Sequence, residues 1–328
     1  NDRNVSTIQV RGRKQEVWKK FMDADRAVGI KYASKWASSS NYWKNSIGMN
    51  KAIADLDVIG QKQQLEKSIR DWYSAAAGLT RRFGELFSKL ETAYAARRQS
   101  VHAQGFFNET FMRGIESYRV ARALNMLPQD AGSDQVTATK ESLKRFFKDY
   151  DARLDEATMA ALLENYRQQV PDKKFHPACY QVIDSLYQGN CAAYARDLYA
   201  RTICLDTTCI DRLLADSTLR ESDPALVYAD GLPDMMQQMV GAQRENNNII
   251  SYNERLLTQA LLEMEQDEPH YSDANFTMRL SYGFIQDYTS QGTHFDYYTN
   301  AKSLLDKAAN QDEIEDYRLE DDIVNLLK

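Results

Sequence analysis

The strongest constraint on this chain is where proline does not occur. All six prolines, at 128, 171, 177, 224, 233 and 269, lie after residue 127, so the first 127 residues lack the side chain that most disrupts a helix interior. Apolar residues in that stretch recur at helical spacing. Leu65, Ile69, Trp72 and Tyr73 form one stripe, Leu79, Phe83, Leu86, Phe87, Leu90 and Tyr94 a second, and Phe107, Phe111, Ile115 and Tyr118 a third. A stripe on one face has to be buried against a partner, so the pattern predicts helices packed as antiparallel hairpins.

After a loop at 127–134, two further helices are marked by Leu143, Phe146, Phe147 and Tyr150 and by Met159, Leu162, Leu163 and Tyr166. The stretch 171–222 is broken and carries all four cysteines. Ser222-Asp223-Pro224 reads as a cap with proline in the first turn. It opens a long helix towards Glu268, with Ile250, Leu257, Leu261 and Met264 buried and a bend or interruption at Gly231 and Pro233. The period then changes to two. Phe276, Met278, Leu280 and Tyr282 alternate with polar residues as in a strand, Ser290-Gln291-Gly292 supplies a turn, and His294 to Tyr298 reads as the partner strand. Asp312, Glu313, Glu315, Asp316, Glu320, Asp321 and Asp322 form an acidic tail that reads as a solvated helix. The expected fold is mainly α: a large antiparallel helical domain over 1–272, then a short β segment and acidic helical tail over 273–328.

A formal charge of −6 argues against binding nucleic-acid phosphates non-specifically, and no apolar run reaches the ~18 residues of a membrane span. Asn1-Asp2-Arg3-Asn4 forms no export signal, and without an initiator Met it fits a mature or excised segment. The chain has no G-x-S-x-G elbow, no H-E-x-x-H, no C-x-x-C pair and no Gly-rich phosphate loop, so no catalytic residue, metal ligand or cofactor is assigned. His102, His176, His270 and His294 each read as structural. Cys179, Cys191, Cys204 and Cys209 read as buried thiols, with one or two bridges open to them in an oxidising compartment. Cys191, behind Gly189-Asn190, is the nearest approach to a nucleophile and reads better as the start of a helix.

The most informative stretch runs from Tyr32 to Asn50. At helical spacing Tyr32, Trp36, Trp43 and Ile47 make an aromatic stripe, and Ser34, Ser38, Asn41 and Asn45 make the opposite one. Three consecutive serines and two asparagines are poor helix formers. Two readings follow: a small polar face that packs close to a neighbour with its asparagines hydrogen-bonded to backbone, or an asparagine amide that points into a cleft and accepts a hydrogen bond from a ligand ammonium.

Tyr32-Ala33-Ser34-Lys35 with the run from Ser38 to Asn50, and, far along the chain, Phe276 to Gly283 with Gly292 to Thr299, resemble the helical domain of bacterial dipeptidyl-peptidases 7 and 11. The resemblance implies a helical domain inserted into a chymotrypsin-like double β-barrel, between its catalytic histidine and aspartate and its catalytic serine. Such enzymes release dipeptides from the free amino end of peptides. The resemblance implies that this domain caps the cleft and offers an asparagine to the substrate α-ammonium, with Asn41 the first candidate and Asn45 the second. The partners it implies are peptides with a free N-terminus and the catalytic barrel of the same protein. It also admits a homodimer, and implies a periplasmic, secreted or cell-surface location in a Gram-negative bacterium. Whether acidic or hydrophobic side chains are preferred stays open, because that pocket is expected on the barrel. The alternative is a non-catalytic helical scaffold binding a partner protein through Trp36 and Trp43. With no triad in the chain, an assay of the isolated chain on dipeptidyl reporter substrates is expected to detect no hydrolysis.

Overall fold

The chain was analysed as a computed structural model that describes residues 2–270, 282–290, 292–309 and 318–327. It divides into two units, Asn1–Glu268 and Pro269–Lys328. The first is built of α1 (Asp2–Ala24), α2 (Arg26–Asp55), α3 (Val58–Ser74), α4 (Ala77–Phe83), α5 (Leu86–Phe107), a π-helical turn (Asn108–Met112), α6 (Ser117–Asn125), α7 (Ser133–Lys148), α8 (Ala152–Gln169), α9 (Cys179–Leu186), α10 (Cys191–Arg201), α11 (Cys209–Ala215), α12 (Leu219–Ser222), α13 (Pro224–Gly241) and α14 (Arg244–Met264). The mainly α expectation holds.

Asp25 makes α1 and α2 a hairpin. It sits in extended backbone between them, and its carboxylate accepts from the N–H groups of Ala27 and Val28, capping α2. The two helices come close because small residues line the seam. Ser39, Ser40 and Ser46 are buried there, Ser40 Oγ donates to Gln15 Oε1 at 2.8 Å, and a Cβ at Gly12 would stand 3.3 Å from the Trp43 indole nitrogen.

The apolar stripes fill two separate clusters. Phe107, Phe111, Tyr118, Leu162, Tyr166 and Leu226 belong to the large one, and Ile69, Phe83, Leu86, Leu90 and Ile250 to the second. Helix α5 feeds both, the second cluster from its first turns and the large one from its last. This explains the breaks that periodicity passed over. The stripe at 79–94 is interrupted at Gly84-Glu85, and the stripe at 107–118 runs through the π-helical turn and a bend before α6. Asp223 caps α13 as expected, accepting from the N–H groups of Ala225 and Leu226, with Pro224 in the first turn. The long helix is not interrupted at Gly231 and Pro233, which stay inside α13. It breaks at Ala242-Gln243, where the chain leaves the large cluster and α14 joins the second.

Two buried charges organise the middle of this unit. The Asp155 carboxylate, fully buried on α8, accepts four hydrogen bonds: from the N–H groups of Glu116 (2.8 Å) and Ser117 (2.7 Å) at the start of α6, and from the hydroxyls of Tyr150 (3.2 Å) and Tyr199 (2.6 Å). Burial and the neighbouring Glu116 carboxylate push Asp155 upward, and the four donors oppose that shift. At the other end of α6 the Arg220 guanidinium donates to the carbonyls of Leu124, Asn125 and Leu127. Lys14 of α1 is the second charge. Its ammonium lies 4.4 Å from the centre of the Trp18 ring and donates to the Arg113 carbonyl at 3.3 Å, and burial lowers it from its ordinary 10.5.

The second unit contains a hairpin of β1 (Tyr288–Ser290) and β2 (Thr293–Phe295), in register Tyr288 with Phe295 and Ser290 with Thr293, then α15 (Ala301–Ala309) and α16 (Asp321–Leu327). Gly292, at φ 80°, supplies the left-handed backbone of the turn. The turn lies where the sequence indicated. The partner strand is shorter than the expected span from His294 to Tyr298 and starts one residue earlier, because pairing begins directly beside the turn. Of the alternation expected at 276–282, Phe276, Met278 and Leu280 lie outside the described residues, and Tyr282 is in no strand. The tail residues Asp312, Glu313, Glu315 and Asp316 also lie outside them.

Asp155→Ala is expected to cost about 3–5 kcal/mol in urea unfolding, since it strands two amides and two phenols in the core. Lys14 carries the opposite linkage. A base lowered by burial adds stability that is present above its unfolded value of 10.5 and lost as pH falls through its folded value. Lys14→Met is therefore expected to be about 1 kcal/mol more stable than wild type at neutral pH. Paired denaturation curves at increasing pH should show that lead shrinking towards 10.5.

Candidate functional site

On α2 the two sequence stripes separate as the helical spacing requires. Tyr32 is buried, Trp36 and Trp43 are half-buried, and Ile47 lies at the edge. Ser34, Ser38, Asn41 and Asn45 are exposed. The close-approach reading is met, on a different side of the helix from the stripe of Ser34, Ser38, Asn41 and Asn45. The close approach of α1 uses Ser39, Ser40 and Ser46, and Asn41 and Asn45 take no part in it. Asn45 Nδ2 lies 3.7 Å from the Met49 thioether, and no described residue donates to the side-chain carbonyl of either asparagine. One turn, about 6 Å of rise, separates the two amides along the helix.

Ser34 and Ser38 also line a cleft of about 650 Å³ whose other walls are α1, the π-helical turn, the start of α6 and α7. Its floor is a polar network anchored on Glu116. The Glu116 carboxylate accepts from the Tyr32 hydroxyl at 2.9 Å and the Lys35 ammonium at 3.0 Å, and Lys35 also donates to the Asp149 carbonyl. The Tyr32 oxygen in turn accepts from the Asp151 N–H at 3.1 Å, and burial raises this phenol far above its ordinary range. Trp18 meets Tyr32 edge-on at 5.0 Å and donates from its indole to Thr158. Orientation of α2 is thus fixed by polar contacts near its start as well as by packing. Across the cleft the buried Glu109, on the π-helical turn, pairs with Arg11 at 2.8 Å. Such turns aim side chains that a regular helix would place elsewhere.

Lys14, Glu109, Glu116, Arg119 and Arg145 of this cleft escaped the reading of the sequence. They come from α1, the π-helical turn, α6 and α7, and no local spacing announces the set. Tyr32 and Lys35, three apart, sit in the stretch that sequence did single out.

Elsewhere the polar candidates are structural. His102 and His176 are each held by a backbone carbonyl, of Gln169 and Val170. The four cysteines are free, buried thiols. Burial pushes Cys191 up to about 11, which keeps it protonated at neutral pH and removes it as a nucleophile. In the second unit Asp287, His294 and Asp296 bring one potential ligand atom each within 4.8 Å of the others, all exposed. No described helix is long and apolar enough to cross a membrane.

Comparison with known proteins bears on the whole chain. A family model described as peptidase S46 matches residues 1–328. Dipeptidyl-peptidase 7 of Porphyromonas gingivalis is 33% identical over 99% of this chain and 46% of its own length. The Asp/Glu-specific dipeptidyl-peptidase of Flavobacterium psychrophilum is 27% identical over 94% of this chain and 44% of its own length. The chain therefore spans somewhat under half the length of these curated relatives. The crystal structure of Porphyromonas endodontalis DPP11 superposes with a TM-score of 0.69 over 98% of this chain and 47% of that one, at 22% identity, so the fold is shared. With the match running from its first residue to its last, this chain belongs to the peptidase S46 family.

Proposed function

We propose that this chain is the substrate-capping helical domain of a serine dipeptidyl-peptidase, and that Asn41, with Asn45 one turn later, accepts hydrogen bonds from the α-ammonium of a peptide substrate. The observation that carries the reading is the division of α2. Ser39, Ser40, Ser46 and Tyr32 are buried and Trp36 and Trp43 half-buried, while the two asparagines stand clear with unclaimed carbonyl oxygens. Family membership supplies the reaction class, hydrolysis by a serine peptidase, and relatives named dipeptidyl-peptidase supply the product.

An exopeptidase must favour one ammonium and reject a chain that continues. Fixed neutral acceptors in a closed cleft do both, because a blocked amine leaves them unpaired after desolvation. The side chains that break the peptide bond belong, on this reading, to a catalytic barrel of the same protein. The second unit supports a partner of that kind: Tyr282, Phe284 and Ile285 are more than four-fifths exposed, an apolar load that suits a covered surface. A periplasmic or secreted setting and a homodimer belong to the same proposal.

In the full-length protein Asn41→Ala is expected to lower kcat/KM on a dipeptidyl reporter at least tenfold with the fold intact, since a hydrogen bond to a charged group is worth about 1.5–3 kcal/mol. Wild-type kinetics in that variant would remove Asn41 from the site. Asn45→Ala then decides whether the second amide takes its place.

A further inference from the structure

The cleft between α1, α2 and α7 holds more cation than its ion pairs consume. Six basic side chains and three carboxylates line it, in a chain whose formal charge is −6. Arg11 and Arg113 share Glu109, Lys35 is matched by Glu116, and the third carboxylate, Asp149, is exposed. Lys14, Arg119 and Arg145 form no ion pair with any described residue. Lys14 is buried, touches the Arg113 carbonyl and the Trp18 ring, and feels the Glu116, Asp155 and Glu109 carboxylates at longer range, so the cations left without a carboxylate are Arg119 and Arg145. Arg119 is exposed with its guanidinium 5.9 Å from the Phe146 ring, and Arg145 is exposed on α7, the helix that carries Phe146. Two like-charged guanidinium groups on the wall of one cleft give it a local positive potential that favours an anion there.

We infer that this cleft receives carboxylate side chains on the leaving side of a peptide substrate, at its third and fourth residues. The inference rests on the proposed capping role, because Asn41 sets the origin. Ser38 and Ser34, on the stripe that carries Asn41, line the cleft, and Ser34 lies about 10 Å back along α2 from Asn41. An extended peptide covers that distance in about three residues. With the peptide running from Asn41 towards the start of α2, its third and fourth residues come beside Ser34, on the wall of the cleft that Arg119 and Arg145 also line. The positive field there attracts carboxylates and is indifferent to their amides.

The test uses the full-length protein and two pentapeptides amidated at the C-terminus, so that side chains supply the only carboxylates. They share their first two residues and differ at the third and fourth, Glu-Glu against Gln-Gln. The readout is the ratio of kcat/KM for dipeptide release, which cancels any general loss of activity or folding in a variant. Wild type is expected to favour the acidic peptide about threefold to tenfold at low salt, with the preference shrinking as salt rises. In Arg119→Gln/Arg145→Gln the ratio should fall towards one. A wild-type ratio near one, or a preference that survives the double substitution, would overturn the inference. Dipeptide release from both peptides at equal rates sinks this inference alone. No dipeptide release from either removes the peptidase reading and this inference with it.

Discussion

Helix α6 is short, yet both of its ends are held by charge from elsewhere in the fold. Asp155 takes the first free amides and Arg220 gives to the last free carbonyls, each opposite in sign to the helix pole it meets. The remaining lone pairs of Asp155 hold Tyr150, in the α7–α8 connection, and Tyr199 of α10. Because the α6 start is fixed, Glu116 is fixed, and Glu116 in turn holds Tyr32 and Lys35 of α2. The direction in which Asn41 and Asn45 project is therefore set by a carboxylate more than one hundred positions further along the chain.

The long helices do different work. Helix α5 links two apolar clusters that otherwise share little, and polar pairs fasten α14 along it: Arg97 with Asn247 at 2.6 Å and Tyr94 with Glu254 at 2.7 Å. Helix α2 instead trades propensity for proximity. Serines weaken it as an isolated helix, and their small size allows the contact with α1 that restores it. Polar residues on such a helix then cost little to expose, and the far side stands open to solvent.

The residues that were legible in the sequence are those whose role is local. The absence of proline before residue 128, the Asp223-Pro224 cap and the angular separation of Ser39 from Asn41 all follow from helix geometry alone. The breaks were not legible in the same way. Pro233 is the stronger local signal, yet the helix ends eight residues later, at Gly241, because the change of direction is decided by which cluster the next apolar side chains can reach. The cleft was illegible for a related reason. Lys14 and Arg113 meet across ninety-nine positions, and no window along the chain contains both. The family resemblance named Asn41, and the fold supplied the cations behind it.

The π-helical turn at Asn108–Met112 has a consequence for how this fold tolerates change. A π turn holds one residue more than the α turn it replaces, so the ladder carries built-in slack at that point. Losing that residue would leave a continuous helix, but would swing everything beyond it by about 100°. The rim of the cleft would then rotate away from Arg11 while the backbone stayed perfectly regular. Length variation here reshapes the cleft without a loop ever being inserted.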